Sequence, residues 1–188
     1  MLTTMAPKRE RLIEAAQMMF YQQGVSRTTL ADIAQQAQVP LGNIYYHFRA
    51  KEALVEAVIQ AHERELQSLF AQWEHLPDAR QRLLALLAGS RQQEPVLARY
   101  GCPHGSLCLE LDKEDTELVT VGARIFQTYL DWAQIQFLQL GRDEQEAKDL
   151  AIDLISSLQG TFVLTATFRN PELLERKLQR LEAWVRTL

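Results

Sequence analysis

The stretch that most constrains this chain is residues 28–51, Thr28-Thr29-Leu30-Ala31-Asp32-Ile33-Ala34-Gln35-Gln36-Ala37-Gln38-Val39-Pro40-Leu41-Gly42-Asn43-Ile44-Tyr45-Tyr46-His47-Phe48-Arg49-Ala50-Lys51. Leu30, Ile33, Ala34 and Ala37 recur at helical spacing, which makes one face of a short helix apolar. Thr28 is the expected N-cap, its hydroxyl accepting from the free N–H groups of the first turn. Gln38-Val39-Pro40 then interrupts the pattern, because proline disfavours helical geometry at Val39 and suits the first position of a new helix. A second helix from about Pro40 to Phe48 points Ile44 and Phe48 inward, leaving Leu41, Gly42, Asn43, Tyr45, Tyr46 and His47 for its other faces. Two helices joined by so short a turn are a helix-turn-helix unit, whose second helix suits the major groove of DNA.

The flanking sequence extends an all-helical pattern. Residues 1–7 read as a loose arm, and Lys8–Gln23 as a helix with Leu12, Ile13, Ala16, Met19 and Phe20 on one stripe, stopped by Gly24. That stripe should close a three-helix head against Leu30, Ile33, Ile44 and Phe48. A long helix follows from Ala50-Lys51-Glu52 to about His75, and another from Asp78 to about Gln93. Glu94–Leu111, with Pro95, Gly101, Pro103 and Gly105, reads as irregular, containing one short helix that starts at Pro103 or Gly105. Asp112-Lys113-Glu114-Asp115 reads as a solvated turn. Helices are expected over Thr116–Leu140, from Asp143 to Phe168, and from Asn170-Pro171 to the C-terminus. No strand alternation, internal repeat or low-complexity tract is visible.

Charge separates the two parts. The chain carries a net charge of −4, but up to Lys51 six cations face three anions, leaving that quarter at +3 and the remainder at −7. A basic head on an acidic body fits a DNA-reading module joined to a regulatory one. No apolar run approaches the ~18 residues of a membrane span, and the N-terminus lacks the apolar stretch of a secretion signal. With two cysteines only, these features lead to the expectation of a cytoplasmic protein without a membrane partner.

The residues Gly24, Thr28-Thr29-Leu30-Ala31-Asp32-Ile33-Ala34, Ala37-Gln38-Val39 and Gly42-Asn43-Ile44-Tyr45-Tyr46-His47-Phe48-Arg49-Ala50-Lys51-Glu52-Ala53-Leu54 resemble the signature of the tetracycline-repressor (TetR) family over roughly residues 10–55. Two positions depart from it. Gln38 stands where glycine is usual, and Leu41 where a small polar residue is common; Leu41 cannot donate to a phosphate but can touch a thymine methyl. The resemblance implies an all-α protein with a three-helix DNA-binding head, residues 1–51, and a larger helical ligand-binding and dimerisation body, residues 52–188. It implies a sequence-specific transcriptional regulator, most simply a repressor released from a palindromic double-stranded operator. In the head, Gly42 would allow close approach, Asn43 and Tyr45 would reach base edges, and Thr28, Thr29, Tyr46, His47 and Lys51 would meet phosphates, with Arg27 and Lys8 adding backbone contacts.

The resemblance further implies a homodimer through residues ~143–188, with Leu150, Leu154, Leu158, Phe162, Leu178, Leu181 and Trp184 at or near the interface. It also implies an unknown small-molecule inducer in the body, for which Phe70, Trp73, Tyr100, Cys102, His104, Cys108, Phe126, Tyr129 and Phe162 are candidate lining residues. Cys102 draws attention because it sits just before a helix start, where the helix end stabilises a thiolate. The Gly101-Cys102-Pro103 and Gly105-Ser106-Leu107 stretches resemble a branch of the family in which some members sense electrophiles or oxidants through a cysteine, so modification of Cys102 is a second route to release. Catalysis is not expected: His47, His62, His75 and His104 match no metal-binding spacing, and no cofactor motif or catalytic triad order is present. The competing expectation is a helical ligand-binding or scaffold protein without DNA function.

Overall fold

The computed structural model describes residues 6–112 and 118–188, and among the described residues the only regular elements are helices, without a strand. Ten helices follow in order: α1 Lys8–Gln23, α2 Leu30–Gln36, α3 Leu41–His47, α4 Lys51–Trp73, α5 Ala79–Gln92, α6 Glu94–Tyr100, α7 Pro103–Asp112, α8 Leu118–Gln139, α9 Glu144–Phe168 and α10 Pro171–Thr187. The expected arm up to residue 5, the turn over Lys113–Asp115 and a helix start at Thr116 lie outside the described residues. The chain divides into two compact units, one holding residues up to Arg64 with Ser106–Ile125, the other Glu65–Gly105 with Phe126–Leu188. Helices α4, α7 and α8 each run from one unit into the other.

In the first unit α1, α2 and α3 pack on one another. Leu12, Ile13, Ala16 and Phe20 of α1 are buried together with Ile33 of α2, Ile44 of α3 and Phe48 behind it. Gly24 ends α1 with φ +91°, which costs glycine nothing and a residue with a Cβ a good deal. The cap of α2 differs from the sequence expectation. Thr29, not Thr28, is the N-cap, and it forms a capping box with Asp32. Thr28 is buried, donating its hydroxyl to the Gly24 carbonyl at 2.7 Å. A threonine pair at a helix start leaves either residue eligible. The reciprocal bonds with Asp32, three residues on, select Thr29.

The turn into α3 is held from α1. Gln38 adopts the left-handed conformation, φ +53°, where glycine would be unstrained. The guanidinium of Arg11 donates to the carbonyls of both Ala37 and Gln38. Val39 is buried beneath the turn and Pro40 precedes the first residue of α3. Arg9 lies over the Phe48 ring, 5.3 Å from its centroid, so both ends of α3 are tied to α1 by arginines.

In the second unit α10 packs on α5, α6 and α9, and α6 on α9. Asp78 caps α5, accepting from the Gln81 N–H at 2.8 Å. Arg91 bridges to Glu175 at 2.7 Å and Glu182 at 2.6 Å, fastening α5 to α10. Helix α6 is absent from the sequence reading. Proline and glycine together mark turns in the sequence, but Pro95 sits in the first turn of α6, where a missing N–H is harmless, and Gly101 supplies the stop at φ +77°.

Helix α9 corrects two expectations. By length and mean hydropathy, 1.3 over an 18-residue window, it is apolar enough to cross a membrane, contrary to the reading that no segment approaches this. The physical reason is that it is apolar on two faces. One face, with Leu154, Leu158, Phe162 and Thr165, is buried in the protomer's own core. The other exposes Ile152, Val163, Leu164 and Phe168. Leu154, Leu158, Phe162, Leu178 and Leu181, assigned to a dimer interface from the sequence, are therefore already used within one protomer, while Leu150 and Trp184 are half-buried. Periodicity finds both apolar faces of such a helix and does not say which belongs to which partner.

Candidate nucleic-acid interface and effector cluster

Helix α3 is seven residues long and is anchored on one side only. Ile44 is fully buried, fixing the helix to α1 and α2, and Phe48 anchors its C-terminal end. Leu41, Tyr45 and Tyr46 remain uncovered, at 47%, 54% and 85% exposed. Such exposure of two tyrosines and a leucine on one short helix has no role in the protomer's own packing. Asn43 and His47 are half-buried beside them, and His47 meets Tyr46 edge-on at 5.1 Å. Gly42 is exposed, and a Cβ built on it would meet nothing within 4 Å, so nothing in the protomer requires glycine there.

Around this helix lie the expected backbone-contact residues. Arg27 and Thr29 are exposed at the start of α2, and Lys51, half-buried, begins α4. The Thr29 hydroxyl donates to Asp32 Oδ2 at 2.6 Å, and its backbone N–H donates to the same oxygen at 3.0 Å. The Thr29 hydroxyl bond, then the backbone bond, hold the exposed Asp32 carboxyl below the usual range. Thr28 is corrected as a phosphate contact: at 1% exposure its hydroxyl is spent inside the turn and cannot reach a ligand.

Most of the candidate effector residues gather in the second unit. Phe70 stacks on Trp132, with centroids 4.5 Å apart and planes at 13°, and meets Tyr129 at 5.7 Å. Trp73 lies 5.5 Å from Trp132, and Phe126 6.3 Å from Tyr129. The Tyr129 hydroxyl is 3.2 Å from His104 Nδ1. Cys102 Sγ accepts from the Gly105 N–H at 3.4 Å, and the Gln159 side chain also reaches the thiol. Trp132 and Gln159 were not picked out from the sequence; the former sits on an ordinary helical stripe and the latter among apolar neighbours, with no pattern to separate them. Tyr100 instead lies under the Arg99 guanidinium, 5.0 Å from ring centroid to carbon. Phe162 is buried in α9, and Cys108 belongs to the first unit, where its thiol donates to the Gly122 carbonyl at 3.3 Å.

The expected thiolate is not supported. Cys102 does stand at the start of α7 and receives backbone bonds there. Burial nevertheless outweighs those bonds and pushes the thiol above its ordinary 9.0. The same burial, with the neighbouring Cys102 charge second, pushes the Tyr129 phenol well up. Both groups are neutral at physiological pH and act as hydrogen-bonding partners within an aromatic shell. Among the described residues no group of three or more His, Cys, Asp or Glu is placed to hold a metal ion.

Comparison with known proteins covers both parts of the chain. Residues 12–58 match the family described as bacterial regulatory proteins, tetR family, and residues 77–179 match the C-terminal domain of LmrA/YxaF-like transcriptional regulators. The HTH-type transcriptional regulator TtgR of Pseudomonas putida is 53% identical over 53 residues, which is 28% of this chain and 25% of that protein. The HTH-type transcriptional repressor DhaR of Mycobacterium sp. (strain GP1) is 30% identical over 181 residues, covering 92% of this chain and 89% of its own. A TetR transcriptional regulator from Legionella pneumophila has the same fold, with a TM-score of 0.83 at 18% identity over 96% of this chain and 98% of that one.

Proposed function

The chain belongs to the tetracycline-repressor family of bacterial regulatory proteins, and from that premise we propose that it is a repressor that binds a palindromic operator as a homodimer and leaves it when a small molecule binds noncovalently. That it is a DNA-binding transcriptional regulator and not an enzyme follows from the family. The observation that carries the DNA reading is the exposed Leu41, Tyr45 and Tyr46 face of α3, held out by the buried Ile44 and Phe48. Tyr45 and Asn43 serve base edges there, while Tyr46, His47, Arg27, Thr29 and Lys51 serve phosphates. In this division residues 1–51 are the DNA-binding head and 52–188 the regulatory and dimerisation body.

One head of this size reads only a few base pairs, and a twofold axis doubles the reading length. The second copy is proposed to dock on the outer face of α9, through Ile152, Val163, Leu164 and Phe168, whose apolar surface is otherwise open to water. The effector is proposed to enter the shell of Phe70, Trp73, Trp132 and Tyr129, with His104, Cys102 and Gln159 as hydrogen-bonding partners. A neutral, flat or apolar molecule fits neutral partners in an aromatic surround. To act, it must bind the DNA-free state more tightly than the DNA-bound one. The test is a binding titration against duplex DNA taken from upstream of the protein's own gene, at fixed salt. Binding resistant to excess random duplex supports the reading, and binding abolished by that competitor contradicts it for that site.

A further inference from the structure

We propose that Glu110 is a positioning residue for DNA binding, its carboxylate fixing the turn between α1 and α2 from which Arg27 and Thr29 are presented. The inference rests on the DNA-binding reading above, and adds to it a residue 84 positions away in sequence from the turn that it holds.

Both carboxylate oxygens are committed to that turn. The Val25 N–H donates to Oε2 at 2.8 Å and the Ser26 N–H to Oε1 at 2.7 Å. Two successive backbone donors converging on one carboxylate make a small anion-binding concavity, filled here by the chain itself. Other bonds of the turn are internal: Gly24 N–H donates to Phe20, Thr28 N–H to Val25, and the Thr28 hydroxyl to the Gly24 carbonyl. The Val25 and Ser26 N–H groups are the pair that falls to Glu110. Gly24 adds independent evidence of closeness. A Cβ placed on it would stand 2.9 and 3.1 Å from the two Glu110 oxygens, so the carboxylate occupies the space a side chain would need.

The turn that is held in this way leads directly into the interface. Val25 and Thr28 are buried and Ser26 and Arg27 exposed, so the carboxylate grips the backbone between two anchors and sets the direction in which Arg27 leaves. Burial by itself would raise the Glu110 carboxyl. The Ser26 backbone and hydroxyl, the Val25 backbone and the Lys51 charge outweigh it and hold the group below the usual carboxylate range. Glu110 is therefore an anion standing near Lys51, a proposed phosphate contact.

That charge gives the proposal a sign. On electrostatics alone, removing an anion beside a DNA-binding surface strengthens binding to any duplex. Loss of positioning weakens it. The experiment uses the full chain as wild type, Glu110→Gln and Glu110→Ala. The probe is a duplex enriched by wild type from a random library, with a scrambled duplex of equal length as control. Fluorescence anisotropy is read across a salt series, with circular dichroism at the assay temperature reporting folding. The expected result is weaker binding of the enriched duplex, by about tenfold for Glu110→Ala, with Glu110→Gln intermediate because it keeps one acceptor. The salt slope should become shallower, by about one phosphate contact, since Arg27 is the cation whose positioning is lost. Where Glu110→Ala is unfolded at the assay temperature, Glu110→Gln carries the comparison. Amide exchange at Val25 and Ser26 then shows whether the turn has loosened. Folded variants that bind the enriched duplex as tightly as wild type, or more tightly, overturn the role of Glu110 alone. A wild type that enriches no duplex overturns the DNA reading and this proposal with it.

Discussion

The guanidinium of Arg11 donates to the backbone carbonyl of Gln38 at 2.9 Å, across the turn that launches α3. Gln38 is left-handed there, φ +53°, a conformation that strains any residue with a Cβ. A charge-assisted bond to its carbonyl, shared with that of Ala37, offsets the strain. Replacing Arg11 by Ala should lower stability by about 1–3 kcal/mol, as expected for lost bonds from a charged donor. Gln38→Gly should leave stability unchanged or raise it by up to about 1 kcal/mol, because glycine relaxes the turn. Denaturant melts of the two variants and their combination check both. A strongly destabilising Gln38→Gly contradicts the strain argument.

Gly42 separates folding from function. Nothing lies within 4 Å of the position its Cβ would take, so Gly42→Ala is accommodated and stabilises α3 by up to about 1 kcal/mol. Yet the added methyl stands on the surface offered to DNA. The predicted pair of outcomes is an unchanged or higher melting temperature and weaker binding of an enriched duplex. Unimpaired binding would remove Gly42 from the interface.

The two faces of α9 should respond differently. Leu164→Glu changes the exposed face and should leave a folded monomer, seen by light scattering with an unchanged circular dichroism spectrum. Leu158→Ala opens a cavity in the protomer core and should cost about 2–5 kcal/mol of stability. If Leu164→Glu remains dimeric, the second copy docks elsewhere.

Two ionisations give pH signatures of opposite sign. Glu110 is held below its ordinary 4.5, so its bonds contribute fully above that pH and are lost as the pH falls through the lowered folded value. The acid limb of the stability profile should be shallower in Glu110→Gln than in wild type. Cys102 is held above its ordinary 9.0, so the protein loses stability as pH rises past that value, where the unfolded chain releases the proton and the folded one keeps it. Iodoacetamide should alkylate Cys102 with a pH midpoint above 9.0, with Cys102→Ser supplying the background from Cys108. A midpoint near neutrality would restore the thiol switch.

The sequence makes some of these features readable and hides others for identifiable reasons. The helices of the head, the Gly24 stop and the inward Ile44 and Phe48 follow from local periodicity and turn chemistry, which act over a few residues. The choice of Thr29 over Thr28 depended on Asp32 closing the box, a side-chain preference that spacing alone leaves open. Helix α6 was hidden by Pro95, whose meaning reverses between the first turn of a helix and its interior. Glu110, Arg11 and Gln159 were invisible because their partners lie far along the chain, and a carboxylate, guanidinium or amide on a helix looks the same whether solvated or engaged. Which apolar residues of α9 are buried within the protomer is hidden in a similar way, since both of its apolar faces carry the same signal.

The most direct measurement is selection from a random duplex library with the purified wild-type protein, followed by anisotropy on the enriched sequence with wild type and Asn43→Ala. A repressor of the kind proposed enriches a palindrome, binds it far more tightly than scrambled duplex at the same salt, and loses that preference in Asn43→Ala. Failure to enrich any sequence, with only weak binding common to all duplexes, would contradict the account at its centre.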